Sequence, residues 1–424
     1  MTESFWIETL GCPKNEVDSD KLVGTMLADG LVPADSPELA DVVVVNTCAF
    51  VEQARQESID TILGLDSVRA PGARLVVTGC MAERYGDELS DALPEIDSVA
   101  GFGVPVTLGS TRGVSNGERP SFDLLNLPRP KSLSPWAYVK VAEGCDRACG
   151  FCAIPSFRGK QRSRSIDEIL AEVDALDVRE IVLVAQDLAA FGRDQGVGER
   201  SIVSLMNAVA DRVERVRLLY LYPSDLTDAL IDAICASGVP YFDLSLQHVS
   251  SPLLRAMKRW GDGKRFAKRI DAIRDREPTA AFRSNFIVGY PGETEEDHDQ
   301  LLEFVDSVRL DWCGFFPFSR EEGTYAAGLD QQVPEELVAA RLSELTSLQD
   351  QITASKRDEI IGTVVEVLVD SPGVARTWRE APEIDGIVVV PTDLVQGTFA
   401  TVKIVNALGP DLIAEGALVA EEDQ

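Results

Sequence analysis

Three times in the first eighty residues a short apolar segment runs into a cysteine: WIETLGC at Cys12, VVVVNTC at Cys48 and LVVTGC at Cys80. Phe5–Leu10, Asp41–Val45 and Arg74–Val77 have strand character, and helix patterns follow at Glu16–Asp29, Glu52–Leu63 and Met81–Leu89. Alternation of this kind specifies a parallel sheet covered by helices. Parallel strands end on one edge, so three cysteines one βα unit apart converge where open α/β sheets bind ligands. Gly11 and Gly79 permit tight turns there. Taken singly, each cysteine reads as a small buried hydrophobe. Their equivalent positions favour a shared metal site in which three thiolates leave one iron open.

A second α/β series follows. Residues 104–135 are rich in Gly, Ser and Pro, which marks a domain boundary. Strand patterns then recur at Trp136–Val141, Ile181–Ala185, Arg217–Tyr220, Tyr241–Ser245, Ala281–Val288 and Trp312–Phe316. Six βα units predict an open, partial barrel, because the full eight-unit barrel takes ~250 residues. Ser165 and Glu168 match a capping box, so a helix starts after Ser165. Pro334–Asp358 is helical in pattern, and 360–420 holds short Val-rich runs at Val364–Val369, Gly386–Val390 and Phe399–Ala407. These predict a small appended β-barrel.

Directly after the first strand of that second series comes EGCDRACGFC, a C-x3-C-x2-C loop with Cys145, Cys149 and Cys152. Three thiolates on one loop suit a [4Fe–4S] cluster. The fourth iron stays open and can chelate the amino and carboxylate groups of S-adenosylmethionine. Phe151 can shield such a cluster from water. Structural zinc needs four closed ligands, and no fourth cysteine or histidine lies nearby.

Composition narrows the class. Eight cysteines against two histidines make any metal site thiolate-rich. Forty Lys/Arg against seventy Asp/Glu give a net charge of −30, which suits basic partners and disfavours nucleic acid. No apolar run approaches the ~18 residues of a membrane helix, and the start lacks a secretory pattern. The expected location is therefore the cytoplasm, away from membranes.

TLGCPKN (9–15), NTCAF (46–50), GCMAERYGDEL (79–89) and the C-x3-C-x2-C loop together resemble the radical S-adenosylmethionine methylthiotransferases. AEGCDRACGFCAIPSFRGKQRSR (142–164), AQD (185–187), LYLYPSD (219–225), SLQH (245–248) and FSREEGT (318–324) resemble the branch that modifies a ribosomal protein rather than transfer RNA. One departure is Ser245, where that branch often has proline before LQH. The resemblance implies an α/β chain of four parts. These are an N-terminal cluster domain (1–115), a linker (116–133), a partial (β/α)6 radical core (134–355) and a small TRAM-like β-barrel (358–424). It implies two [4Fe–4S] clusters. The one on Cys145, Cys149 and Cys152 would cleave S-adenosylmethionine to a 5′-deoxyadenosyl radical. The one on Cys12, Cys48 and Cys80 would supply the sulfur, and a second S-adenosylmethionine the methyl group. The implied target is the β-carbon of one aspartate in small ribosomal subunit protein twelve, with electrons from a flavodoxin-like or ferredoxin-like donor. A transfer RNA methylthiotransferase and a non-catalytic iron–sulfur carrier are the rival readings.

Supporting residues stay open between site and scaffold. Gly289 and Gly292 resemble the family's segment near the adenosine, yet also fit a plain strand-to-helix turn. Gln186 and Asp187 end the second core strand at the barrel mouth. Arg158, Lys160, Arg162 and Arg164 could hold a cofactor carboxylate or guide an acidic target, or form a solvated loop. His248 reads as structural, His298 as exposed, and Cys235 and Cys313 as core. Residues 358–424 carry thirteen Asp/Glu against three Lys/Arg. RNA binding needs cationic phosphate contacts, so this barrel suits a basic protein instead.

Overall fold

The computed structural model describes residues 2–106, 123–196 and 201–417. Residues 116–122 of the expected linker lie outside them. The N-terminal sheet is five-stranded and parallel, in the order Val32–Pro33, Ser4–Thr9, Val42–Thr47, Arg74–Gly79, Ser98–Ala100. Its middle strand is the VVVV run, at most 1% exposed, because helices cover both faces. Pro13 opens the first helix (Pro13–Ala28), where its missing N–H costs nothing. The helix expected over 81–89 is broken at Gly86, giving Cys80–Tyr85 and Asp87–Ala92.

The central domain has six parallel strands: Trp136–Lys140, Glu180–Val184, Arg215–Leu218, Tyr241–Gln247, Ala281–Val288 and Trp312–Pro317. They form two three-stranded sheets joined by one parallel bridge, Leu221 to Leu244, and so run in chain order as an open arc. Outward-facing Ile181, Leu183, Phe242 and Phe286 pack under the helices. Inward-facing Trp136, Tyr138, Val182, Tyr241 and Trp312 fill the arc. Ser165 makes the expected capping box with Glu168. The Glu335–Asp358 helix leads to a closed five-stranded barrel, in the order Val364–Ser371, Val374–Arg376, Val388–Val389, Asp411–Ala417, Phe399–Leu408. No helix among the described residues is long and apolar enough to cross a membrane.

Between its second and third strands the C-terminal barrel sends residues 376–385 into the floor of the central arc. Arg376 pairs there with Glu180 (3.0 Å) and with Asp370 (2.6 Å), while Arg217 takes the other Glu180 oxygen (2.8 Å). Burial opposes ionisation of Glu180, but Arg376 and Arg217 outweigh it and hold its pKa at about 2. The Tyr138 hydroxyl donates to Pro382 O (2.9 Å) and the Tyr241 hydroxyl to Asp385 (2.6 Å).

At the edge of this floor Glu16 of the first helix shares a hydrogen bond with Glu383. Burial, then the Glu383 charge, push the Glu16 pKa up to about 8. The folded chain then keeps a proton that the unfolded chain loses near the ordinary carboxylate pKa of about 4.3, so stability falls as pH rises through that window. Glu16→Gln removes this loss. Its melting temperature relative to wild type is expected to rise between pH 5 and pH 8.5, and a constant difference would rule out the shared proton.

Candidate active site

The loop carrying Cys145, Cys149 and Cys152 is pinned on all sides. Its base is a two-residue antiparallel pair, Ala142–Glu143 with Arg162–Ser163. Cys145 N–H donates to Gly159 O (3.1 Å), Gly150 N–H to Met257 O (2.8 Å), and Gly150 O accepts from Ala326 N–H (2.8 Å). Gly144 has φ +80°, and a Cβ there would overlap the Lys160 carbonyl, so only glycine fits. Arg147 N–H points at Cys145 Sγ (3.4 Å) and Arg259 Nη1 at Cys149 Sγ (3.5 Å). Burial raises the thiol pKa values of Cys145 to about 11 and Cys152 to about 12.

The other three cysteines lie where strand ends place them. Cys12 is the N-cap of the Pro13–Ala28 helix, Cys48 follows Thr47, and Cys80 is the first residue of its helix. Gly11 faces Cys48 so closely that a Cβ would sit 2.8 Å from the Cys48 Cβ. Asn15 fixes the spacing of two loops, because its Nδ2 donates to Leu10 O (2.8 Å) and Thr47 O (3.1 Å). Burial raises Cys48 to about 12 and raises Cys80. Burial also opposes ionisation of Cys12, yet Lys14 and Arg158 outweigh it and lower its pKa.

One side chain joins the two sets. Arg158 ends the short helix Ile154–Arg158 that leaves the C-x3-C-x2-C loop, and Ala153 and Phe157 beside it belong to the N-terminal core. Its guanidinium donates to Cys80 Sγ (3.0 Å), to Asn15 Oδ1 (2.8 Å) and to Glu143 (2.9 Å). Glu143 also accepts from Lys140 (2.8 Å) and from Gln186 (2.8 Å), and Lys140 pairs with Asp18. Burial opposes ionisation of Glu143, but Arg158 and Lys140 hold its pKa far below the usual carboxylate range. A second clasp lies in FSREEGT: Glu321, 2% exposed, pairs with Arg55 (2.5 Å) and Arg84 (2.7 Å) of the N-terminal domain.

No group of three or more His, Cys, Asp or Glu among the described residues is gathered closely enough to hold a single metal ion. Iron–sulfur cubanes ask for something wider, since each thiolate binds a different iron. Two all-cysteine sets without histidine or carboxylate, each on glycine-shaped loops with an arginine aimed at one sulfur, fit that group.

The remaining candidates divide. Gln186 sits at the mouth with its Oε1 buried and unpartnered. Phe151 is half-buried against the central core. The Gly289 and Gly292 α-carbons face Val338 and Gln331, and the N–H groups of Gly289 and Tyr290 donate to Glu293. Ser245 N–H donates to Leu221 O (2.9 Å), a bond proline cannot make. His248 is buried; Nδ1 accepts from Ser250 N–H (3.0 Å), while Nε2 is buried without a partner among the described residues. His298 corrects expectation: it is 1% exposed and bonds Glu344. The basic run divides: Lys160 is exposed, whereas Arg158 and Arg164 are buried, Arg164 pairs with Glu172 and Arg162 with Asp123. Sequence reasoning missed Lys14, Asn15, Glu143 and Glu321 as site residues, although all four lie inside the quoted motifs.

Residues 4–101 match the model of the uncharacterized protein family UPF0004, 139–305 the radical SAM superfamily and 361–416 the TRAM domain. A relative from Moorella thermoacetica named ribosomal protein uS12 methylthiotransferase RimO is 42% identical, with 93% of this chain and 95% of the relative covered. The chain belongs to the uS12 methylthiotransferase family. A further member of that name, from Kineococcus radiotolerans, is 38% identical, covering 98% of this chain and 97% of its own. This methylthiotransferase is thus an enzyme of radical S-adenosylmethionine chemistry, which works with an iron–sulfur cluster. Among solved structures it is similar to the radical S-adenosylmethionine methyltransferase TsrM from Kitasatospora setae, bound to cobalamin and a [4Fe–4S] cluster. The two are 14% identical with a TM-score of 0.50, over 93% of this chain and 83% of that one, a likeness of fold.

Proposed function

We propose that the enzyme methylthiolates the β-carbon of one aspartate in ribosomal protein uS12, in the cytoplasm, with two [4Fe–4S] clusters and S-adenosylmethionine. The observation that carries this reading is that Arg158, at the end of the helix leaving the C-x3-C-x2-C loop, donates to Cys80 Sγ of the other cysteine set (3.0 Å). Cys145, Cys149 and Cys152 hold one cluster, and Cys12, Cys48 and Cys80 the other. When bound, the first cluster supplies the electron that cleaves S-adenosylmethionine and the second supplies the sulfur. The protein's own part is positional. Gln186 offers a buried acceptor at the mouth, Phe151 shields the loop from water, and the Gly289–Gly292 turn shapes the cofactor wall. The working units are 1–115, 134–355 and 358–424, and the electron donor is flavodoxin-like or ferredoxin-like.

A protein substrate is favoured over RNA by the C-terminal barrel. Of the three cations in 358–424, Arg376 is buried in ion pairs with Glu180 and Asp370, and Arg379 lies 3.9 Å from Asp311. Lys403 alone faces outward without such a partner among the described residues.

The test is mass spectrometry of uS12 from cells with and without the gene. Loss of a CH3S-for-H increment on one aspartate supports the reading, and an unchanged mass overturns the substrate. Alanine at Cys145, Cys149 and Cys152 is expected to abolish both S-adenosylmethionine cleavage and product. Alanine at Cys12, Cys48 and Cys80 is expected to abolish product while 5′-deoxyadenosine still forms under dithionite.

A further inference from the structure

Around the two cysteine sets nearly every cation has a carboxylate. Arg158 and Lys140 are engaged by Glu143 and Asp18, and Arg147 by Asp187. Lys14 is different. It lies two residues past Cys12, in the first turn of the Pro13–Ala28 helix, and its ammonium stands 3.8 Å above the Tyr220 ring. No hydrogen-bond acceptor and no ion-pair partner meets it among the described residues. Lys14 is part-buried, and an ammonium held partly out of water without an anion is costly.

Its surroundings are arranged rather than incidental. Tyr220 follows the third barrel strand with φ +65°, a conformation non-glycine residues rarely hold. The strain is held in place by the Tyr220 N–H, which donates to the buried Asp243 carboxylate (2.9 Å). Strain of this kind persists where the surroundings over-determine it, commonly at ligand clamps. Here it presents an aromatic face to Lys14, between the sheet edge that carries Cys12 and the arc interior.

We propose that Lys14 receives the carboxylate of the target aspartate, making it a specificity-determining residue for an acidic side chain. The inference rests on the function proposed above. The reacting carbon is bonded directly to that carboxylate, so an ammonium–carboxylate contact fixes the carbon's distance from both cysteine sets. The Tyr220 ring limits where the ammonium can sit. A neutral side chain of the same shape would cover Lys14 without pairing it, and is rejected for that reason.

The experiment is a binding cycle with the cluster-loaded full chain, without reductant so that no turnover occurs. Wild type, Lys14→Met and Lys14→Arg are each titrated with uS12 and with uS12 whose target aspartate is replaced by asparagine. Wild type is expected to prefer the aspartate form by about tenfold, the scale of one hydrogen bond to a charged group. Lys14→Met is expected to lose that preference, and Lys14→Arg to keep most of it. A Lys14→Met variant that still discriminates overturns the proposal, and so does one that loses only S-adenosylmethionine affinity. If wild-type enzyme neither binds nor modifies uS12, the substrate reading fails, and Lys14 with it.

Discussion

Arg158→Met is expected to destabilise the folded chain by about 3–5 kcal/mol, the range for breaking a buried ion pair on one side. The side chain is 3% exposed, and its departure leaves Glu143, 15% exposed, with Lys140 as its one cation and Gln186 as a neutral donor. Cys80 Sγ loses its donor in the same step, and Asn15 Oδ1 keeps only the long contact from Cys80 Sγ (3.7 Å). Methionine fills the volume but offers no N–H. Anaerobic denaturant unfolding of wild type, Arg158→Met and Arg158→Lys measures the loss. Lysine is expected to recover part of it, since it restores the charge but not the fork that spans three acceptors. A loss under about 1 kcal/mol, the scale of a solvated surface pair, would mean the network is open to water. Iron bound by the N-terminal cysteines should fall in Arg158→Met, because Cys80 is no longer held.

Arg376→Met is the second large effect, again about 3–5 kcal/mol, for the same physical reason at a different place. Arg376 is 2% exposed and bridges Glu180 of the central arc to Asp370 of its own barrel. Glu180 retains Arg217, but Asp370 is left without its cation. The expected signature is regional: residues 376–385 become cleavable by protease at temperatures where wild type is intact. A uniform loss with no new cleavage would mean that the floor stays docked through its apolar and tyrosine contacts.

What could be read from the residues follows from range of interaction. The VVVV run is continuously apolar, and the six core strands are short and rich in β-branched, aromatic and Leu residues, so their pattern is local and legible. Val32–Pro33 and Ser98–Ala100 are two and three residues long, too short to show a period. Two core strands start one or two residues earlier than expected, at Glu180 and Arg215. A charged residue reads as a strand boundary because charges are rarely buried unpaired. Here Glu180 meets Arg217 on the next strand and Arg376 from another domain, which no local pattern reveals. The six cysteines were legible because strand ends place them. Arg158 stood out only as part of a basic run, and its role was hidden because its partners Cys80 and Asp18 lie 78 and 140 residues away in sequence. His298 looked exposed in an acidic helix, but the turn of that helix carries it inward against the Glu335–Asp358 helix.

The inserted segment 376–385 has a consequence for how the chain is made. Translation proceeds from the N-terminus at about 5–20 residues per second. All six strands of the central arc therefore emerge before the residues that close its floor. Until those residues arrive, Glu180, Arg217, Tyr241 and Arg283 face an unfilled opening, with their later partners still inside the ribosome. A nascent chain halted before residue 376 would hold a formed arc with a charged, hydrated base. Completion of the radical domain is then a late, whole-chain event, and loading of the clusters before release would meet a scaffold not yet closed from below.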